Sequence, residues 1–369
     1  MFINAMGLIL ADHKRIQLGE LSRPRALAAI PFAGRYRIID FMLSNMVNSG
    51  ITCVGVIAQQ KYKSLMDHLG TGSSWDLDRK NQGLSLLPPY INSLNLESSD
   101  NDNLSGSLDF FRANRFRYVV IANSNVIFNA TLNDYVSRHE ESGADISVLY
   151  NRDGLKSGPP AVILGMDRKG SVKDVMINPQ KPVSNRRSVG VVILSRELLI
   201  DLLNDNASRG DNDFSVESLL RRYMELRICG IEYKGTLLRI NDIPTYFSST
   251  MSLLEEKTRR ELFWAGLPVY TKVKDEAPAL YGPQNQVSNS FISDGCVING
   301  TLADSMVFRG VTVSAHAKVT NSIVMQDVYI SEGVELDHVI LDKNCVIRPG
   351  IKLVGQKDFP VVIGKGAIV

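Results

Sequence analysis

An apolar run, Leu8-Ile9-Leu10-Ala11, leads into six residues placed to meet a phosphate: Asp12, His13, Lys14, Arg15, Ile16 and Gln17. A strand that feeds a glycine-rich turn lets backbone N–H groups approach nucleotide phosphates with no side chain in the way. This stretch contains no glycine. Lys14 and Arg15 can attract an anion, yet the close backbone approach is blocked. The segment has the position of a nucleotide loop without its chemistry. Elsewhere the reactive residue types are scattered. His13, His68, His139, His316 and His338 show no metal-ligand spacing and read as core or surface residues. Cys53, Cys229, Cys296 and Cys345 lie far apart among apolar neighbours, which reads as buried thiols in a reducing compartment. Neither set predicts a metal site.

A chain of 369 residues is longer than single cores normally reach, so two domains are expected. A net charge of +2, not clustered, gives no case for nucleic acid or a membrane surface as partner. No apolar stretch has membrane-spanning length, and the N-terminus lacks the basic-then-apolar pattern of a secretory leader. A cytoplasmic protein is the expectation.

From residue 1 to about 245, short apolar runs alternate with helical patterns. Leu8-Ala11, Val54-Ala58, Val119-Ala122, Ile146-Tyr150 and Gly190-Leu194 read as buried strands. Ile39-Ser49, Leu132-Ser142 and Arg196-Asn204 fit helices between them, with Gly50 just past the end of the first. This alternation predicts an α/β domain with a mostly parallel sheet covered on both faces. Asn95-Ser107 reads as a mobile surface loop. Residues 246–284 read as a connecting helix (245–266) and linker.

From about residue 285 the period changes. Asn289-Ser290-Phe291-Ile292, Asp304-Ser305-Met306-Val307, Asn321-Ser322-Ile323-Val324 and Asp337-His338-Val339-Ile340 recur every 15 to 17 residues. Apolar residues fall six apart within them: Val307, Val313, Val319; Val324, Ile330, Leu336; Leu341, Ile347, Leu353. Six-residue spacing grouped in threes is the hexapeptide signature of a parallel β-helix, here residues 285–369, rather than a β-sandwich.

The segment "IPFAGRYRIIDFMLSNMVNSGI" (Ile30 to Ile51), with "GSSWDLD" (Gly72-Asp78), "LLPPY" (Leu86-Tyr90) and "SDGCVINGTLADSMV" (Ser293-Val307), strongly resembles ADP-glucose pyrophosphorylase, that is, glucose-1-phosphate adenylyltransferase. The resemblance runs almost end to end. It implies a Rossmann-like, GT-A-like nucleotidyltransferase domain over 1–245, followed by a left-handed β-helix. It also implies the synthesis of ADP-glucose and pyrophosphate from ATP and glucose 1-phosphate, for glycogen or starch. Trp75-Asp76 is expected to be packing near the nucleotide side of the fold.

Catalytic members of that family need particular groups, and this chain departs from them. Their Gly-Gly-x-Gly-Thr-Arg run falls on Asp12 to Gln17, which removes every glycine and the arginine, and their Lys-Pro pair becomes Leu27-Ala28. They hold Mg²⁺ with two aspartates. Asn125 stands at the first, after Tyr118-Ala122. Arg239 stands at the second, within Leu237-Asp242. A guanidinium about 5 Å from Mg²⁺ would repel it by roughly 6 kcal/mol at an effective dielectric near 20. Asp242 reaches that point only with a shift of register. The sugar-phosphate run survives in part: Gln180-Lys181-Pro182 keeps its lysine, Gly106-Ser107-Leu108-Asp109 keeps Gly106 and Asp109, and Asp213-Phe214 begins a run that then diverges.

This degenerate set resembles the D-type branch of the family, non-catalytic subunits that work beside a catalytic C-type subunit in bacterial glycogen operons. The resemblance implies no catalytic residue and no metal in this chain, with Mg²⁺ in the partner. It implies a heterotetramer of two C-type and two D-type subunits. Arg35 falls where relatives bind a sugar-phosphate effector, and Arg37 and Arg348 are candidates to join it. Two other readings are a weakly active adenylyltransferase using displaced Asp242 or Asp109, and a stand-alone sugar-phosphate sensor using Arg35 and Lys181. His316 as the base of a β-helical acyltransferase is disfavoured, because the solenoid is short and has no long loop.

Overall fold

The computed structural model describes residues 3–13, 15–58, 61–87, 107–154, 158–208, 214–264 and 266–369. Lys14, Asp213, Gly106 and the rest of the Asn95-Ser107 loop except Ser107 lie outside them, as do Pro88-Tyr90 of "LLPPY". Ser107 itself is buried.

The first domain is built on a nine-stranded sheet. Its elements are β1 (Ala5–Leu10), α1 (Ile38–Asn48), β2 (Cys53–Ile57), α2 (Lys63–Leu69), β3 (Gly83–Leu87), α3 (Leu108–Ala113), β4 (Tyr118–Asn123), α4 (Asn133–Ser142), β5 (Ile146–Asn151), β6 (Val162–Met166), β7 (Val172–Ile177), β8 (Arg187–Ser195), α5 (Arg196–Ser208), α6 (Val216–Leu220) and β9 (Ile228–Glu232). The main path runs β7-β6-β8-β4-β1-β2-β3, and β5 pairs with β8 and β9. β3, β2, β1 and β4 are parallel neighbours. β8 runs antiparallel to β4, β5 and β6, so the sheet is mixed rather than mostly parallel. Every expected strand is present. Apolar runs report burial on both faces but not strand direction, which here is set by the antiparallel neighbours of β8.

Alternation divides each central strand between two cores. Ala5, Ile9, Val120 and Ala122 face α1 and α4, packing with Met42, Met46 and Val136. Met6, Leu8, Val119 and Ile121 face the opposite way, with Phe111, Leu199 and Leu219. Both faces are covered, as the uninterrupted apolar runs require. Trp75 is buried in the first core, edge-on to His68. Gly50 takes φ +78° directly after α1, the left-handed stop that only glycine adopts without strain.

The expected single connecting helix is two. α7 (Ile243–Met251) ends in the 3-10 turn Ser252–Leu254, and α8 (Glu256–Phe263) starts afresh. The break strands the carbonyls of Leu253 and Leu254, and Arg259 donates to both, at 2.9 and 2.5 Å.

The second domain is a left-handed β-helix of three five-stranded parallel sheets. It starts at Leu280–Tyr281, which already pairs with Val297–Ile298, five residues before the expected boundary. The hexad residues are stacked as anticipated: Val307 on Val324, Val313 on Ile330 on Ile347, and Val319 on Leu336 on Leu353. One motif is out of register. Ile323 pairs with Ile340, so the fourth repeat reads His338-Val339-Ile340-Leu341. Asn289, Asp304, Asn321 and His338 all take positive φ at that corner, a conformation asparagine, aspartate and histidine tolerate better than most. Below them the N–H groups of Ser305, Ser322 and Val339 each donate to the serine hydroxyl one coil back, at 3.1 to 3.2 Å.

One face of the prism docks on the first domain. Phe291, Met306, Ile323, Ile340 and Val362 point outward into a core shared with Phe32, Phe41, Tyr246 and Phe247. Gly34 fits this seam closely: a Cβ there would lie 2.6 Å from the Ser293 hydroxyl. Arg25 and Asp342 close it with two parallel hydrogen bonds of 2.9 Å, both side chains buried.

Candidate functional site: an inter-domain cationic cavity

The loop after β1 is folded inward as packing. Ile16, Leu18 and Leu21 are buried in the shared core, burial that contributes about 1.5–3 kcal/mol per side chain. Asp12 accepts a bond from the backbone N–H of Leu27 at 3.3 Å, and His13 Nε2 meets Glu217 Oε1 on α6 at 3.2 Å. Arg15 and Gln17 are exposed. The alternation of buried Ile16, Leu18 and Leu21 with polar neighbours was visible in the sequence, but its destination across the seam was not.

At the two positions where the resemblance places metal ligands, each side chain is bound to a different part of the scaffold. Asn125 follows β4 and is buried; its side-chain N–H₂ donates to Asn241 Oδ1 at 3.0 Å. Antiparallel pairing of Arg239 with Val126 and a 2.9 Å bond from Ile240 N to the Asn125 carbonyl hold the two segments together. Arg239 turns to β5 and the residues after it: its Nε donates to Asp153 at 3.1 Å and its Nη2 to Asn151 Oδ1 at 2.8 Å. Asp153 also faces buried Arg187, which donates to the carbonyls of Gly154, Gly158 and Pro160. Burial first, then the neighbouring Arg239 charge, lowers Arg187 to about 10. Neither side chain presents an anionic oxygen, and the Arg239 guanidinium repels a divalent cation.

Asp242, the candidate displaced ligand, has a structural task in the fold. It is the N-cap of α7, accepting from Thr245 N at 2.8 Å and from the Thr245 hydroxyl at 2.6 Å. Asp109 lies exposed on α3, 3.9 Å from the Arg112 guanidinium. Lys181 is exposed in the β7–β8 connection. Phe214 is buried. Gly190 takes φ +82°, with a Cβ there 3.1 Å from the Asn123 side chain, at the irregularity between Ser188 and Val192 where β8 pairs with β5. Among the described residues, no group of three or more His, Cys, Asp or Glu side chains is placed to hold a metal ion.

Arg35 and Arg37, by contrast, are brought together by the tight turn between Pro31–Phe32 and Tyr36–Arg37. They line a cavity of about 220 Å³ between the domains, and four further cations line it with them: Lys272, Lys274, Arg309 and Lys343. The carboxylate on its wall is Asp67, which is exposed, beside His68. Arg348 is elsewhere, exposed on the β-helix.

The lining cations are unequally satisfied. Arg37 donates to the carbonyl and hydroxyl of Ser64, and burial lowers it to about 10. His68 bonds to Asp40 at 2.6 Å; burial, outweighing that carboxylate, lowers it. Arg309 is 5% exposed, yet its Nε and one Nη have no hydrogen-bond partner. Its nearest carboxylate, Asp294, is 3.9 Å away and half exposed. A buried guanidinium with two unmet donors is costly unless an anion completes it. Arg309, Lys272, Lys274 and Lys343 were missed in the sequence because they lie far from Arg35 along the chain.

The comparisons with known proteins agree with this architecture. A family model described as nucleotidyl transferase matches residues 6–228, and one described as GlmU-like, C-terminal hexapeptide matches residues 277–358. The chain is 34% identical over 370 residues to the glycogen biosynthesis protein GlgD of Bacillus subtilis (strain 168), covering 100% of this chain and 98% of that one. It is 37% identical over 366 residues to GlgD of Geobacillus stearothermophilus, covering 98% and 96%. A glucose-1-phosphate adenylyltransferase of Bacillus cytotoxicus is 29% identical over 370 residues, covering 98% of each chain. No helix among the described residues is long and apolar enough to cross a membrane.

Proposed function

The chain belongs to the nucleotidyl transferase family, with GlgD and glucose-1-phosphate adenylyltransferase relatives, and from that premise we propose that it is a regulatory, non-catalytic subunit of glucose-1-phosphate adenylyltransferase in glycogen biosynthesis. The names of its relatives support the pathway. One observation carries the inactivity: at the two metal positions the Asn125 amide is bound to Asn241, and the Arg239 guanidinium is bound to Asp153. Neither position offers a carboxylate for Mg²⁺. The buried loop after β1 supports the same reading, since Ile16, Leu18 and Leu21 commit it to packing.

The role left to the chain is to bind a catalytic partner in a cytoplasmic hetero-oligomer and alter its activity. The cavity between the domains is its effector site, for a sugar phosphate. Six cations and the orphaned donors of Arg309 suit a polyanion, and the position on the seam lets binding act on the packing of the two domains.

The test is ADP-glucose synthesis with Mg²⁺ by this chain alone, by a catalytic partner alone and by the mixture. The expected result is no turnover alone and a faster mixture. Turnover by the isolated chain near the rate of a catalytic relative would overturn the proposal.

A further inference from the structure

We propose that anion binding in the inter-domain cavity takes up a proton on Lys343, so the site holds an anion tightly below neutral pH and loosens above it. The inference rests on the effector reading of that cavity. Lys343 follows Asp342 at a corner of the β-helix, and Asp342 is already committed. Its two oxygens accept from Arg25, and one also accepts from the Lys343 backbone N–H at 2.7 Å. Among the described residues no carboxylate lies within ion-pair distance of the Lys343 ammonium.

The surrounding charges come from every element packed there. The loop before Ala26 supplies Arg25, and the Pro31–Arg37 turn supplies Arg35 and Arg37. α2 supplies Asp67 and His68, and His68 is turned to Asp40. The segment after α8 supplies Lys272 and Lys274; Lys272 donates to the Asp67 carbonyl at 2.7 Å. The β-helix supplies Arg309, Asp342 and Lys365. Cations dominate this set.

A half-buried ammonium among guanidinium groups sheds its proton easily. Burial first, then Arg37 and Arg25, brings Lys343 down to about 7, against an opposing pull from Asp342. An anion in the cavity reverses this balance and favours the charged form. Binding then consumes a proton above neutral pH, and affinity falls by up to about tenfold per pH unit there.

Inorganic sulfate is the probe, because it stays fully charged from pH 6 to 9. Calorimetric titration of the full chain at pH 8, in buffers of different ionisation enthalpy, counts the protons taken up. The expected result is close to one proton per sulfate at pH 8 and few at pH 6. Lys343→Arg keeps the charge at every pH, so it is expected to bind sulfate without proton uptake and with affinity that varies less than about twofold. Sulfate binding without proton uptake would overturn the coupling and leave the anion site standing. Uptake that survives Lys343→Arg and disappears in His68→Asn would overturn the assignment to Lys343. No sulfate binding at pH 6 or pH 8 would overturn the effector site itself.

Discussion

Asn125 and Asn241 are 116 residues apart in sequence, and their side-chain amides meet at 3.0 Å inside the protein. The pair closes the position where the resemblance places a metal carboxylate. Asn125→Asp is therefore expected not to create an enzyme. The new carboxylate would face an amide, with Arg239 still cationic nearby and the glycine-free loop still packed in the core. The measurement is pyrophosphate release from ATP and glucose 1-phosphate with Mg²⁺. A clear gain in the single variant would show that one carboxylate suffices and that the loop is not the obstacle.

Arg25→Met is expected to destabilise the protein by about 3–5 kcal/mol, because it leaves the Asp342 carboxylate buried and unpaired. Arg25→Met combined with Asp342→Leu is expected to recover most of that loss, since no buried charge then remains. Urea denaturation of the single and double variants reads this directly. Equal losses in both would mean that the pair contributes packing rather than charge compensation.

Arg309→Leu is expected to leave stability within about 1 kcal/mol of the parent, or to raise it. The substitution removes two unsatisfied buried donors and keeps apolar volume. The same variant should bind sulfate at least tenfold more weakly. A large loss of stability with unchanged sulfate binding would make Arg309 a structural residue.

His139 on α4 is buried, bonds to the Ser147 hydroxyl at 2.8 Å and is brought down to about 4, chiefly by burial. The folded state therefore holds fewer protons than the unfolded state between about pH 4 and 6.5. Stability is unaffected above that window and falls as the pH drops through it, by roughly 2 to 3 kcal/mol from this residue. Denaturation midpoints between pH 4 and 8 should show the fall, and His139→Asn should flatten it. An unchanged slope in the variant would assign the acid sensitivity to other groups.

Much of the architecture was legible because it is written in local periods. The hexads from Val307 to Leu353 specify a three-sided coil by spacing alone, and the apolar runs of β1, β2 and β4 specify a sheet covered on both faces. Local pattern failed where the answer depends on a distant partner. The antiparallel course of β8 is set by its neighbours β4 and β5. The break between α7 and α8 is made good by Arg259. The slipped fourth repeat is settled by the pairing of Ile340 with Ile323.

The sequence by itself determined which residues stand where the resemblance places the loop glycines and the metal carboxylates. A loop without glycine, an asparagine at 125 and an arginine at 239 are facts of composition at fixed positions, and no folding returns an absent carboxylate. Only the tertiary structure decided what replaced it. Asp242 reads from the sequence as a candidate displaced ligand, and the fold shows that it also caps α7. Arg35 and Arg37 are effector candidates in the sequence, but only the fold gathers Lys272, Lys274, Arg309 and Lys343 beside them and sets Arg348 apart. A charged pocket requires several groups within a few ångströms of one point, and only packing of the two domains sets those distances.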